Sequence, residues 1–224
     1  DVIYTLAGPE IAVASTKAYI TQLAAFYILT FAMAKALNKI DDQELAEIIQ
    51  HFCCLPEKVE ELLDNCVQDM QEIANDFKNW NDAFFVGRGM DYAVAMEGSL
   101  KLKEISYVHA EAYAAGELKH GTLALITKEV PVIALCTQRA VLEKTISNIK
   151  EIKARDAYTI GIAFEGDGLL DQVVDKVIYL PETIDLLAPI LAVVPLQLLA
   201  YYAAIARECN VDQPRNLAKS VTVE

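Results

Sequence analysis

The sequence is short of positive charge: 19 lysines and arginines stand against 32 aspartates and glutamates, leaving a formal charge of −13. Such a chain repels the backbone of nucleic acid and the anionic face of membranes, so neither is expected as a partner. An anionic ligand has to be met by local basic groups. Metal-binding patterns are also missing. The five cysteines, Cys53, Cys54, Cys66, Cys136 and Cys209, form no CxxC pair and show no zinc-ligand spacing. No metal centre is expected, and the cysteines read as small core residues in a reducing, cytoplasmic setting. The N-terminus has no basic start, apolar stretch and small-residue cleavage site of a secretory signal. No apolar run reaches the roughly 20 residues that a membrane span requires. The nearest candidate, Leu23 to Ala34, is closed off by Thr21, Gln22 and Lys35 and reads as a buried helix. Internal repeats and low-complexity segments are absent.

What the chain does have is apolar material. Hydrophobic residues make up 54% of 224, enough for one sizeable core, or for one domain plus part of another. The chain opens on a β-prone run, Asp1 to Leu6, followed by the break Gly8-Pro9 and a helical stretch from about Glu10 to Asn38. One strand and one helix seldom begin a domain, so these residues read as the end of a domain whose beginning lies elsewhere. Two amphipathic helices follow, about Asp42 to Cys54 and Glu57 to Phe77, parted by Leu55-Pro56. From Asp82 the pattern becomes alternation. Strands are expected at Ala83 to Val86, Val130 to Cys136, Tyr158 to Phe164 and Val177 to Leu180, with helices near Asp91 to Tyr107, Ala140 to Arg155 and Leu186 to Glu208. Short apolar strands between helices imply an α/β fold, a mostly parallel sheet flanked by helices on both faces and preceded by a helical segment. Such sheets bind ligands beyond the carboxyl ends of their strands, near the loops after Val86 and Cys136.

Three places carry chemistry. The turn Gly87-Arg88-Gly89 joins a strand to a helix, where amide N–H groups and the helix dipole favour an anion; glycine there can equally serve turn geometry alone. The following helix carries Glu97, Lys101 and Glu104 at spacings of four and three, hence on one face. On an arbitrary helix this is usually a solvated ion-pair stripe. The next segment tilts the balance, because Glu117, Lys119 and His120 lie between Gly116 and Gly121 in a stretch dense in reactive side chains. A carboxylate and a histidine can move protons next to a carbonyl, and a lysine can form an imine with a ketone without any cofactor. The third place is the polar tail around Lys219, which taken alone reads as solvent-exposed.

Several long runs together carry a resemblance. They are Glu97-Gly-Ser-Leu-Lys-Leu-Lys-Glu104-Ile-Ser-Tyr, the loop expected from His109 to Gly121, the tail Asp212-Gln-Pro-Arg-Asn-Leu-Ala-Lys219-Ser-Val-Thr-Val-Glu224, and the opening Ala7-Gly-Pro-Glu-Ile-Ala-Val-Ala-Ser-Thr-Lys-Ala18. They resemble the isomerase part of the glucosamine-6-phosphate synthase family, the isomerising glutamine:fructose-6-phosphate transaminases. That part consists of two sugar isomerase (SIS) domains, each an αβα sandwich. The resemblance implies that residues 1–38 are the C-terminal remnant of a first SIS domain, 39–80 a helical connector, 81–208 a second SIS domain and 209–224 a catalytic tail. It further implies Glu104 as the base that carries a proton between C1 and C2 of the sugar, and His120 as the ring-opening group, supplied by the partner subunit of a homodimer. Lys219 would form an imine with the C2 carbonyl of fructose 6-phosphate. Glu97 and Lys101 would be supporting polar groups near the reacting atoms, and Val13 and Ser15 would contact the sugar. The product would be glucosamine 6-phosphate, for amino-sugar synthesis.

Two parts of the family pattern are missing: the glutaminase domain, with its nucleophilic cysteine, and the serine- and threonine-rich loop that holds the substrate phosphate. Phosphate contacts are charge-assisted hydrogen bonds of roughly 1.5–3 kcal/mol each. The expectation is therefore of an incomplete site that binds weakly, or is inactive, by itself. Two other readings belong to the same fold: a different SIS sugar-phosphate enzyme, such as a deglycase or isomerase, and a non-catalytic sugar-phosphate sensor.

Overall fold

A computed structural model describes residues 1–128, 130–166 and 168–220; the last four residues of the tail motif, 221–224, lie outside it. The centre of the molecule is a sheet of five parallel strands: β1 (Asp82–Gly87), β2 (His109–Ala114), β3 (Val132–Leu135), β4 (Thr159–Phe164) and β5 (Lys176–Leu180). They lie in the order β2-β1-β3-β4-β5, with Phe85 opposite Ala112 on one side and Ile133 on the other. Strand order reverses between β1 and β3, which is where a crevice opens in sheets of this kind.

Helices cover both faces. One face holds α3 (Leu55–Asp76), α4 (Met90–Ser106) and the apolar α6 (Ala188–Ala206), packed over Phe85, Ile133, Ile160 and Ile178; the other holds α5 (Leu142–Lys153), over Val86, Ala134 and Ala163. Burial on both faces explains why the strands are continuously apolar rather than alternating. Close approach of α4 to α6 depends on Gly98, where a Cβ would lie 2.5 Å from the Leu196 Cδ1 atom. The expected αβα sandwich and its helical lead-in are thus present. Pro56 does not part the connector helices by a loop. It occupies the first turn of α3, where its missing N–H is harmless, directly after α2 (Asp42–Cys53).

Four expectations need correction. Residues 1–6 form no strand: they are exposed and pair with no sheet edge, and a β-prone run without a partner cannot satisfy its backbone. The first helix, α1 (Lys17–Ala36), starts seven residues later than expected because the carboxylate of Glu10 folds back to accept hydrogen bonds from the backbone N–H groups of Thr16 (3.0 Å) and Ala18 (3.3 Å). Helix α1 is also not buried. It has two apolar stripes at helical spacing: Ile20, Leu23, Tyr27 and Phe31 face the core, whereas Phe26, Leu29, Met33 and Leu37 face outward. By length and apolarity, α1 and the segment Asp185–Ala206 both match the dimensions of a membrane span, but 72% of the apolar window in the latter is buried inside the fold. Finally, His109 to Gly121 is no free loop. Its first half is the edge strand β2, and Ala115–His120 forms 3₁₀ turns. Alanines and charged residues hid the strand, since neither is β-prone.

Candidate active site

Helix α4 begins directly beyond the carboxyl end of β1 and carries three of the seven candidate groups, Glu97, Lys101 and Glu104. At its start, the buried carboxylate of Asp91 accepts hydrogen bonds from the backbone N–H of Thr137 (2.8 Å), the Thr137 hydroxyl and the backbone N–H of Gln138 (3.3 Å), fastening α4 to the end of β3. Burial pushes this carboxyl up to about 6 against the pull of those donors. In the glycine turn before it, Arg88 is engaged internally, donating to the Asn148 side-chain oxygen (2.8 Å).

Nearly three turns further along, Lys101 is only 4% exposed. An ammonium so buried must be paired. It donates to Glu104 Oε2 at 2.6 Å, and Glu97 Oε1 lies 3.6 Å away. Burial raises the Glu97 carboxyl, Lys101 opposes that shift, and the charge of Glu104 adds to it. The stripe is therefore not a solvated one. Tyr19 of α1 stands close enough to Glu97 that burial, with help from that charge, pushes its phenol up to about 12. Lys101 closes one wall of a cavity of about 200 Å³ also lined by Ala14, Thr16, Gln197, Tyr201 and Asp212. The Gln197 amide nitrogen is buried there without a hydrogen-bond partner among the described residues.

The tail is tied down rather than free. The carbonyl of Asp212 accepts from Val13 N–H (3.0 Å), Pro214 is buried, and the N–H of Arg215 donates to the hydroxyl of Tyr107 (2.8 Å). Tyr107 ends α4 in a left-handed conformation (φ 62°), and the Arg215 guanidinium lies over its ring at 4.2 Å. Residues Arg215, Asn216 and Leu217 then pass along a groove shared with Glu104. Beyond them Lys219 Nζ reaches Glu10 Oε2 (2.7 Å), Ser15 Oγ (3.0 Å) and the Val13 carbonyl (3.4 Å).

The structure thus joins Lys219 to Val13 and Ser15, joins Glu97, Lys101 and Glu104 to one another, and runs the tail between the two groups. It does not bring His120 to either: that imidazole ends the 3₁₀ turns after β2, exposed and without a hydrogen bond or ion pair among the described residues. No cluster suited to a metal ion occurs among the described residues. The sequence reading missed Glu10 and Tyr107, which hold the tail. Both sit inside the quoted runs, but nothing local marks a residue whose partner lies 209 or 108 positions away.

A parallel αβα sandwich, with a buried lysine paired to two carboxylates and a tail that carries a second lysine, defines the class as an α/β sandwich domain. The chain belongs to the SIS domain family, whose model matches residues 76–207. It is 58% identical, over its full length, to a glutamine–fructose-6-phosphate aminotransferase (isomerizing) of Caldanaerobacter subterraneus subsp. tengcongensis and 48% identical to one of Methanosarcina acetivorans. It spans 37% and 36% of the length of those two relatives. Among solved structures, it is similar to the C-terminal domain of glucosamine-fructose-6-phosphate aminotransferase from Francisella tularensis. The TM-score is 0.87 and the identity 40%, covering 92% of this chain and 58% of that one.

Proposed function

We propose that the chain is the isomerase portion of an isomerising glutamine:fructose-6-phosphate aminotransferase, converting fructose 6-phosphate and ammonia to glucosamine 6-phosphate. The observation that carries this reading is the buried Lys101 paired with the part-buried Glu104, which lies on a groove shared with the tail that carries Lys219, in a chain so similar to aminotransferases of that name. Lys219 adds to the C2 carbonyl and water leaves, giving a protonated imine that acidifies the C1–H bond. Ammonia replaces the lysine nitrogen at C2, since the product nitrogen must come from it. Glu104 takes the proton from C1 and returns it to C2, the O1 hydroxyl proton passing to the imine nitrogen as the C1 carbonyl and C2 amine form, while Lys101 and Glu97 hold that carboxylate in place. Val13 and Ser15 contact the sugar, and His120 opens the ring from a partner subunit of a homodimer.

In the whole protein a glutaminase domain supplies ammonia from glutamine, and residues 1–38 complete a first SIS domain whose loop holds the phosphate. The outward stripe of α1, Phe26, Leu29, Met33 and Leu37, suits such a packing. Residues 39–80 connect the two domains, 81–208 form the second, and 209–224 are the catalytic tail. None of the cysteines forms a disulfide among the described residues, in keeping with a cytoplasmic enzyme.

The test is Glu104→Gln in the full-length protein. Turnover with fructose 6-phosphate and ammonia should fall by roughly 10²–10⁴-fold, the range of positioned proton-transfer groups, with sugar binding retained by calorimetry. Unchanged turnover would reject the assignment of Glu104. Absence of glucosamine 6-phosphate from the wild-type protein would reject the whole reading.

A further inference from the structure

The contact on which Lys219 rests belongs to Glu10. The carboxylate divides its two oxygens: Oε1 accepts from Thr16 and Ala18 N–H, and Oε2 accepts from Lys219 Nζ at 2.7 Å. Thr16 makes no side-chain cap of its own, so Glu10 supplies the acceptor that the N-terminus of α1 lacks. With Ser15 Oγ and the Val13 carbonyl, Lys219 Nζ has three acceptors for its three N–H groups. We propose that Glu10 is the positioning residue for Lys219 and the fixed counter-ion of its nitrogen throughout imine chemistry. The inference rests on the reading of Lys219 as imine former given above.

The charge balance makes the arrangement purposeful. An alkylammonium and a ketone give an iminium and one water, so the nitrogen is cationic before and after; three N–H bonds become one, and the two lost hydrogens leave in the water. A carboxylate fixed on the remaining N–H therefore serves reactant and product alike. It also favours the protonated imine, the form whose C2 is electrophilic enough for ammonia to attack. Such a counter-ion must stay ionised. Burial works against that, but the Lys219 ammonium, Thr16 N–H, the Ser15 hydroxyl and Ala18 N–H together hold the Glu10 carboxyl down at about 2. The Glu10 side chain is 10% exposed, sheltered enough for its charge to act at short range with little screening. A carboxylate so acidic cannot take the ammonium's proton, which separates its role from that of Glu104.

The experiment uses full-length protein carrying Glu10→Gln and, separately, Glu10→Asp. Glutamine keeps an oxygen for Thr16 and Ala18 but removes the charge; aspartate keeps the charge on a shorter stem. Fructose 6-phosphate is added, the imine is reduced with borohydride, and the Lys219 peptide is followed by mass spectrometry beside steady-state kinetics. Glu10→Gln should trap sugar, and turn over, roughly 10- to 100-fold more slowly, the range for losing a charge-assisted hydrogen bond. KM should stay within about twofold, since phosphate contacts dominate sugar binding. Glu10→Asp should recover part of the loss. Equal trapping rates in wild type and Glu10→Gln, or a loss confined to KM, would overturn the proposal. Should Glu10→Gln not fold, Glu10→Asp decides the positioning role: a carboxylate on a shorter stem cannot span Thr16 and Lys219 as Glu10 does, so slower trapping than wild type supports the proposal and an equal rate overturns it. If the wild-type protein traps nothing at Lys219, the functional reading fails first. Glu10 is then judged by limited proteolysis of the tail, which Glu10→Gln must accelerate for the positioning role to stand.

Discussion

Asp91 fastens the helix that bears the candidate cluster without touching that cluster itself. Its carboxyl titrates near 6 in the folded chain against an ordinary 3.8. The folded state therefore binds the extra proton between those values, and the contribution of Asp91 to stability is full below pH 4 and declines as pH rises through 6. Subtracting the unfolding free energies of Asp91→Asn from those of wild type should give a difference that falls across this window; a flat or rising difference would contradict it. Asp91→Ala strands the Thr137 and Gln138 donors and should cost about 2–5 kcal/mol in chemical unfolding at pH 7. The sequence did not mark Asp91, because the residues it serves are 46 and 47 positions away. Glu97, Lys101 and Glu104 were legible, since a helical face is written in spacings of three and four. What spacing could not say is that Lys101 at its centre is buried, which sets this face apart from a solvated stripe.

Among the elements, α4 packs directly on α6, and Gly98 meets Leu196 there. Gly98→Val would drive new methyls into Leu196 and should destabilise by about 1–3 kcal/mol, net of any helix-propensity gain. At about 2–4 °C per kcal/mol for a chain of this size, calorimetry should show a melting temperature lower by several degrees. Apolar runs bounded by turn signals made β1, β3, β4 and β5 readable within two residues at either end. Strand β2 was not, since an edge strand built from His109, Ala110, Glu111 and Ala112 looks like a polar loop until a neighbour supplies its ladder. The α1 pattern misled in the opposite way: two apolar stripes on one helix suggest a buried rod, whereas only one stripe meets the core seen here.

At the scale of the molecule, the position of His120 distinguishes a site within one chain from a site shared by two. If the homodimer is built as proposed, each site takes Lys219 from one subunit and His120 from the other. Mixing full-length His120→Ala and Lys219→Ala proteins under exchange conditions should then restore about 25% of wild-type turnover, because half the dimers are mixed and each has one intact site. A histidine acting within its own chain would restore none. Helix α4 also does more than carry the cluster. Seventeen residues at 1.5 Å apiece make it a strut of about 25 Å, anchored at one end to the sheet by Asp91 and at the other to the tail by Tyr107. A rod held at both ends passes on displacement instead of absorbing it. Any ligand that shifts the crevice between β1 and β3 is mechanically placed to retune the distance between Glu104 and Lys219.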